Sequence, residues 1–91
     1  MPEYTVRVEL IDAQASDYEL LHQKMQAKGY LREITGDNGE RYQLPPAEYV
    51  ARKELDVIGV RDEVRTIANT VKNNRILVTK SDGQAWYLDA I

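Results

Sequence analysis

Cysteine is absent from this 91-residue chain, which removes both a disulfide framework and a thiolate metal site. Histidine is nearly absent. His22 stands alone, so neither a histidine metal cluster nor a two-histidine acid–base pair exists within one chain. No apolar stretch approaches the ~20 residues that a helix needs to cross a bilayer. The opening MPEYTVRVEL lacks the basic start and apolar run of a secretory signal, so the cytoplasm is the expected compartment. An excess of positive charge is lacking too. Twelve Lys and Arg against fifteen Asp and Glu leave a net charge of −3, so nucleic-acid binding would have to come from a local basic patch rather than a global field. The length supports one core, and hence a single domain over residues 1–91.

What is present is a legible order of patterns. Tyr4, Val6, Val8 and Leu10 alternate with Thr5, Arg7 and Glu9, the mark of a strand with one buried and one polar face. Ser16 and Glu19 fit an S-x-x-E capping box, in which each side chain satisfies a free backbone N–H of the first turn. Tyr18, Leu21, His22 and Met25 continue at helical spacing to Gly29, so a helix is expected over Ser16–Lys28. Tyr30–Thr35 and Glu40–Leu44 read as short strands around the turn Gly36-Asp37-Asn38-Gly39. Pro45-Pro46 stops the pairing by removing two backbone donors. The charged stretch Ala47–Asp56 reads as a solvated connection with a short extended piece near Tyr49-Val50.

A second helix is expected over Val60–Lys72, with Val60, Val64, Ile67, Ala68 and Val71 as its apolar stripe. Arg75–Lys80 reads as a strand, and Asp82-Gly83 predicts a tight hairpin returning through Gln84–Asp89. In that hairpin Thr79 would face Trp86 and Leu77 would face Leu88. The whole order predicts an α+β fold, a ferredoxin-like βαββαβ sandwich. Its antiparallel sheet would run 4-1-3-2, with both helices on one face and a C-terminal edge strand added.

Candidate chemistry is sparse. The polar face of the first strand carries no aromatic, which argues against base stacking of the RNA-recognition-motif kind. With Leu77 and Ile11 nearby, that face suits a homodimer contact. Asp12 follows the first strand, where a carboxylate can hold Mg²⁺ beside a phosphate or simply make a turn. Arg7, Arg41 and Arg75 would clamp phosphates if their strands were neighbours. The competing reading is cross-strand pairing with Glu9, Glu33 or Glu40. His22 borders the apolar stripe of its helix, as core-flanking histidines do. Ser16 and Thr66 have no elbow or base arranged around them, which leaves acyl transfer unsupported. The loop Gly36–Gly39 lacks the Lys-Ser/Thr of a phosphate loop and the spacing of a calcium loop. Trp86 and Tyr87 suit edge packing or a partner-facing anchor.

YTVRVELIDA, the segment DYELLHQKM before Gly29, YQLPPAEY and ILVTKSDGQAWYL together resemble the GhoS-type antitoxins of type V toxin–antitoxin systems. The resemblance covers most of the chain, more fully in its first half. It implies a ferredoxin-like endoribonuclease acting on a toxin's messenger RNA, similar in fold to the small nuclease subunit of CRISPR adaptation complexes. In those relatives the acid after the first strand holds the metal, a place that Asp12 occupies here. The expectation is therefore a dimeric, GhoS-like endoribonuclease for single-stranded RNA. Attack would come from a metal-bound water at Asp12 or from the RNA's own 2′-hydroxyl. A non-catalytic interaction module and a ligand-binding regulatory domain are the alternatives.

Overall fold

The computed structural model describes residues 1–91. The elements run β1 (Glu3–Leu10), α1 (Ala15–Ala27), β2 (Glu33–Thr35), β3 (Arg41–Gln43), β4 (Glu48–Arg52), α2 (Val57–Asn69) and β5 (Asn74–Lys80). β1 lies at the centre of a three-stranded antiparallel sheet of order β4-β1-β5, and β2 and β3 form a separate antiparallel pair.

The alternation in β1 sets the layering. Tyr4, Val6, Val8 and Leu10 are buried with Tyr49 and Ala51 of β4, Leu21 and Met25 of α1, and Val60, Val64, Ile67 and Ala68 of α2. Both helices therefore cover one face of the sheet, and their burial removes most of the apolar surface from water. Val50, pointing the opposite way from its neighbours, joins a smaller core with Ile34 and Leu44 on the other face. This α+β architecture, with its central first strand, is compatible with a ferredoxin-like arrangement, though the strand counts differ.

Three expectations are corrected. The strand beside β1 is β4, from the stretch read as a connection, and not one arm of the Tyr30–Leu44 hairpin. That hairpin does form, with Ile34 opposite Tyr42, but it meets the main sheet only through a Leu31–Val50 bridge. The signal for β4 was hidden because Tyr49, Val50 and Ala51 are all buried, on two different faces, so the stretch does not alternate. Pro45 and Pro46 begin the turn that launches it. Glu48 N–H donates to the Pro45 carbonyl at 3.2 Å and Ala47 sits at φ 68°, the geometry of a type II turn with Pro46 at its first central position.

The helix starts also shift. Asp17, not Glu19, closes the first turn of α1 by accepting the Gln14 N–H at 2.9 Å. Asp56 caps α2 by accepting the Gly59 N–H at 2.7 Å, so the helix begins at Val57, ahead of the expected Val60. The end of α1 is as expected. Gly29 at φ 85° allows the N–H groups of Gly29 and Tyr30 to reach the carbonyls of Gln26 and Met25, both at 3.0 Å.

The third correction concerns the C-terminus. Gln84–Asp89 does not return along β5. The tail crosses to the other sheet, where Gln43 N–H donates to Asp89 and Ile91 N–H donates to Arg41, each at 3.1 Å. Trp86 packs on Tyr42 with ring centroids 5.8 Å apart, and Leu88 rests on the smaller core. Burying Trp86 and Leu88 against an apolar cluster that β2 and β3 leave half-covered outweighs the local turn preference of Asp82-Gly83.

Candidate functional site

The polar face of the main sheet falls into two halves. At one end Gln84 of the tail donates to Thr5 Oγ1 at 2.6 Å, and the β2–β3 pair covers Val50. At the other end Arg7, Glu9, Arg75 and Leu77 are exposed. Register places Arg7 opposite Leu77 and Glu9 opposite Arg75, so the two arginines are diagonal neighbours on adjacent strands.

Their states differ. Arg75 donates to Glu9 at 2.6 Å. Arg41 lies outside this sheet, on β3, and is held by Glu33 at 3.1 Å. Arg7 forms no ion pair, although Glu48 is its register partner on β4. The structure thus brings Arg7 and Arg75 together and leaves Arg41 apart. Of the three, Arg7 alone presents an uncompensated guanidinium, beside a Leu77 side chain that is 64% exposed.

Asp12 occupies the turn between β1 and α1 at φ 53°, a left-handed conformation that aspartate tolerates better than most residues. No group of three His, Cys, Asp or Glu side chains is arranged to hold a metal ion. Asp12 is an exposed carboxylate, and one or two carboxylates with a substrate phosphate are the usual holders of Mg²⁺. Trp86 is 37% exposed despite its contact with Tyr42, while Tyr87 is wholly exposed. Leu77 lies on the sheet, and the two aromatics lie on the tail.

A second cluster sits at the rim of the helix layer. His22 of α1 lies 2.6 Å from the buried Tyr49 hydroxyl through Nδ1. Desolvation, with a smaller effect of the Arg32 charge, holds its imidazole below the ordinary histidine range against the opposing pull of Glu19. Arg32, just ahead of β2, has a buried Nε with no hydrogen-bond partner. Sequence reasoning passed over Arg32, since nothing in LREIT distinguishes a buried guanidinium from a solvated one. Its placement depends on the Leu31–Val50 bridge, which is a long-range feature.

No protein-family model matches the chain, and no curated protein does.

Proposed function

We propose that this chain is a ferredoxin-like, GhoS-type protein that binds and cleaves single-stranded RNA as an antitoxin endoribonuclease. The observation that carries the reading is the unpaired Arg7 on the central strand, on the open half of the polar face, with Arg75 diagonal to it. A guanidinium with no carboxylate partner is suited to a phosphodiester, which it can hold bidentately. Leu77 beside it offers an apolar contact for a sugar or base.

The chemistry that fits this face is in-line attack by the RNA's 2′-hydroxyl on the adjacent phosphorus. The 2′-oxygen gives its proton to water and forms the new P–O bond. The P–O bond to the 5′-oxygen breaks and that oxygen takes a proton from water, and the products are a 2′,3′-cyclic phosphate and a 5′-hydroxyl end. Arg7 stabilises the charge that develops on the non-bridging oxygens. This route needs no metal ion, whereas a Mg²⁺ route would use Asp12. A homodimer would join two such faces, and the outer edge of β5, which pairs with no strand, is where the second copy would add.

The test is incubation with mixed single-stranded RNA, with Mg²⁺ and with EDTA. Cleavage should persist in EDTA, fall by about tenfold or more in Arg7→Gln, in line with loss of a charged hydrogen bond, and survive Asp12→Ala. EDTA sensitivity together with loss in Asp12→Ala would instead assign the metal route. Absence of cleavage under every condition would favour a non-catalytic interaction module. That second reading has its own observation, the wholly exposed Tyr87 next to Trp86 on the tail.

A further inference from the structure

We propose that the cleft bounded by His22, Gln26, Arg32 and Gln43 is a binding site for a phosphate monoester group. The cleft has a volume of about 300 Å³ between α1, the Leu31–Arg32 segment and β3. It shares no residue with the Arg7 face and does not depend on RNA cleavage.

The argument begins with Arg32. Its Nε–H is buried and unpartnered, and the guanidinium joins no ion pair. An unsatisfied buried donor costs about 1–3 kcal/mol, and more when the group is charged. Gln43 holds this arginine's backbone by donating from Nε2 to the Arg32 carbonyl at 2.9 Å, and Leu44 N–H donates to the same oxygen at 2.9 Å. The segment is thus fixed while the Nε of its half-buried side chain lacks an acceptor within the protein.

His22 supplies the second donor. Tyr49 is fully buried, and burial, as the largest cause, keeps its phenol protonated well above the ordinary tyrosine range. The hydrogen-bond partner of that hydroxyl is His22 Nδ1 at 2.6 Å. The proposed site uses the tautomer in which the Tyr49 O–H donates to Nδ1 and the neutral imidazole carries its proton on Nε2. The carboxylate on the wall, Glu33, is already engaged by Arg41 at 3.1 Å. The cleft therefore presents cationic and neutral donors with no free acceptor charge of its own. A guanidinium takes two oxygens in its fork, and Nε2–H requires a third. A phosphate monoester has three terminal oxygens; a carboxylate has two.

The groups around the imidazole are Tyr18 and Glu19 on its own helix, Arg32 ahead of β2, and Tyr49 on β4. Of these, Arg32 and desolvation disfavour the imidazolium, and a bound dianion would reverse that balance. As the sole histidine, His22 gives an unambiguous pair of ring-proton resonances. These should be followed by NMR at fixed ionic strength while inorganic phosphate, adenosine 5′-monophosphate or acetate is added. The expected result is a saturable shift with phosphate at a Kd on the order of 1 mM, accompanied by a rise in the His22 pKa. A tighter response to the nucleotide marks an esterified ligand and an equal one a free phosphate, and both support the site.

Arg32→Gln should weaken binding by about tenfold or more, and Arg32→Lys, which keeps the charge but not the fork, should weaken it less. Thermal unfolding of each variant checks that the fold persists, and the lysine variant serves if the glutamine variant unfolds. The proposal is overturned if neither phosphate nor nucleotide gives a saturable shift, if acetate binds as tightly as phosphate, or if both folded Arg32 variants respond as the parent does.

Discussion

Ala47 is a residue in the wrong backbone conformation for its side chain. At φ 68° in the turn after Pro46, its Cβ meets the steric cost that glycine avoids. Ala47→Gly should raise stability by up to about 1 kcal/mol, the left-handed strain relieved less the entropy that glycine loses on folding. Urea unfolding measures it, and a loss of stability would show that the Ala47 methyl contributes packing instead. His22 gives a prediction with a definite sign. Its pKa is depressed in the fold, so below the ordinary value of about 6.5 the unfolded chain binds the proton more readily. The His22 contribution is therefore complete above that pH and is lost as pH falls through the folded-state pKa. His22→Gln should flatten the pH dependence of unfolding below about pH 6.5. Asp17 and Glu63 also have depressed pKa values, but as carboxylates they act at lower pH. Asp17 is lowered chiefly by the Gln14 N–H, whereas for Glu63 burial pulls upward and is outweighed by bonds from Lys53 and Tyr30. An unchanged slope in His22→Gln would contradict the assignment.

At the scale of elements, the C-terminal tail is the piece most easily detached. It is held by the Trp86–Tyr42 contact, by Leu88 and by two backbone hydrogen bonds to β3, and it belongs to neither sheet as a strand. Few contacts and exposed hydrogen bonds make for low local stability. Trp86→Ala should speed hydrogen exchange at the Gln43 amide, which the tail protects, while leaving the β1 amides unchanged; equal acceleration of both would mean that the tail folds with the main core. The same element shows why sequence reading stopped where it did. β1, α1, α2 and β5 were legible because each has one buried face at its own period. β4 was legible only as a short extended piece near Tyr49-Val50, since its buried residues point to both faces. The tail was not, because Asp82-Gly83 is a strong local hairpin signal overridden by a non-local cluster of Ile34, Leu44, Tyr42 and Leu88. At the candidate sites, Arg7 and Arg75 could be placed together from alternation and the expected pairing of the first strand with Arg75–Lys80. The separation of Arg41 followed from β4 taking the position beside β1, and Arg32 carried no local signal at all.

The whole molecule is acidic, and on the polar face of its sheet Arg7 and its cross-strand neighbour Glu48 are the charged residues outside ion pairs. Arg52 pairs with Glu3 at 3.6 Å and Arg75 with Glu9 at 2.6 Å, so the face carries little net field away from Arg7. On the proposed reading, binding of a single strand is weak and localised at Arg7, unlike the broad electrostatic attraction of a basic protein. The helix layer behind it is rigidly tied, with Lys53 bridging Glu63 at 2.9 Å and the Tyr30 hydroxyl donating to the same carboxylate at 2.7 Å, so a change at Arg7 should leave the fold intact. The most direct measurement is the affinity of a labelled single-stranded RNA, under conditions that suppress cleavage, across a series of salt concentrations for the parent protein and Arg7→Gln. The account predicts weaker binding for the variant and a salt slope shallower by about 0.7 for each arginine lost from the contact. An affinity and a slope indistinguishable from those of the parent would contradict it.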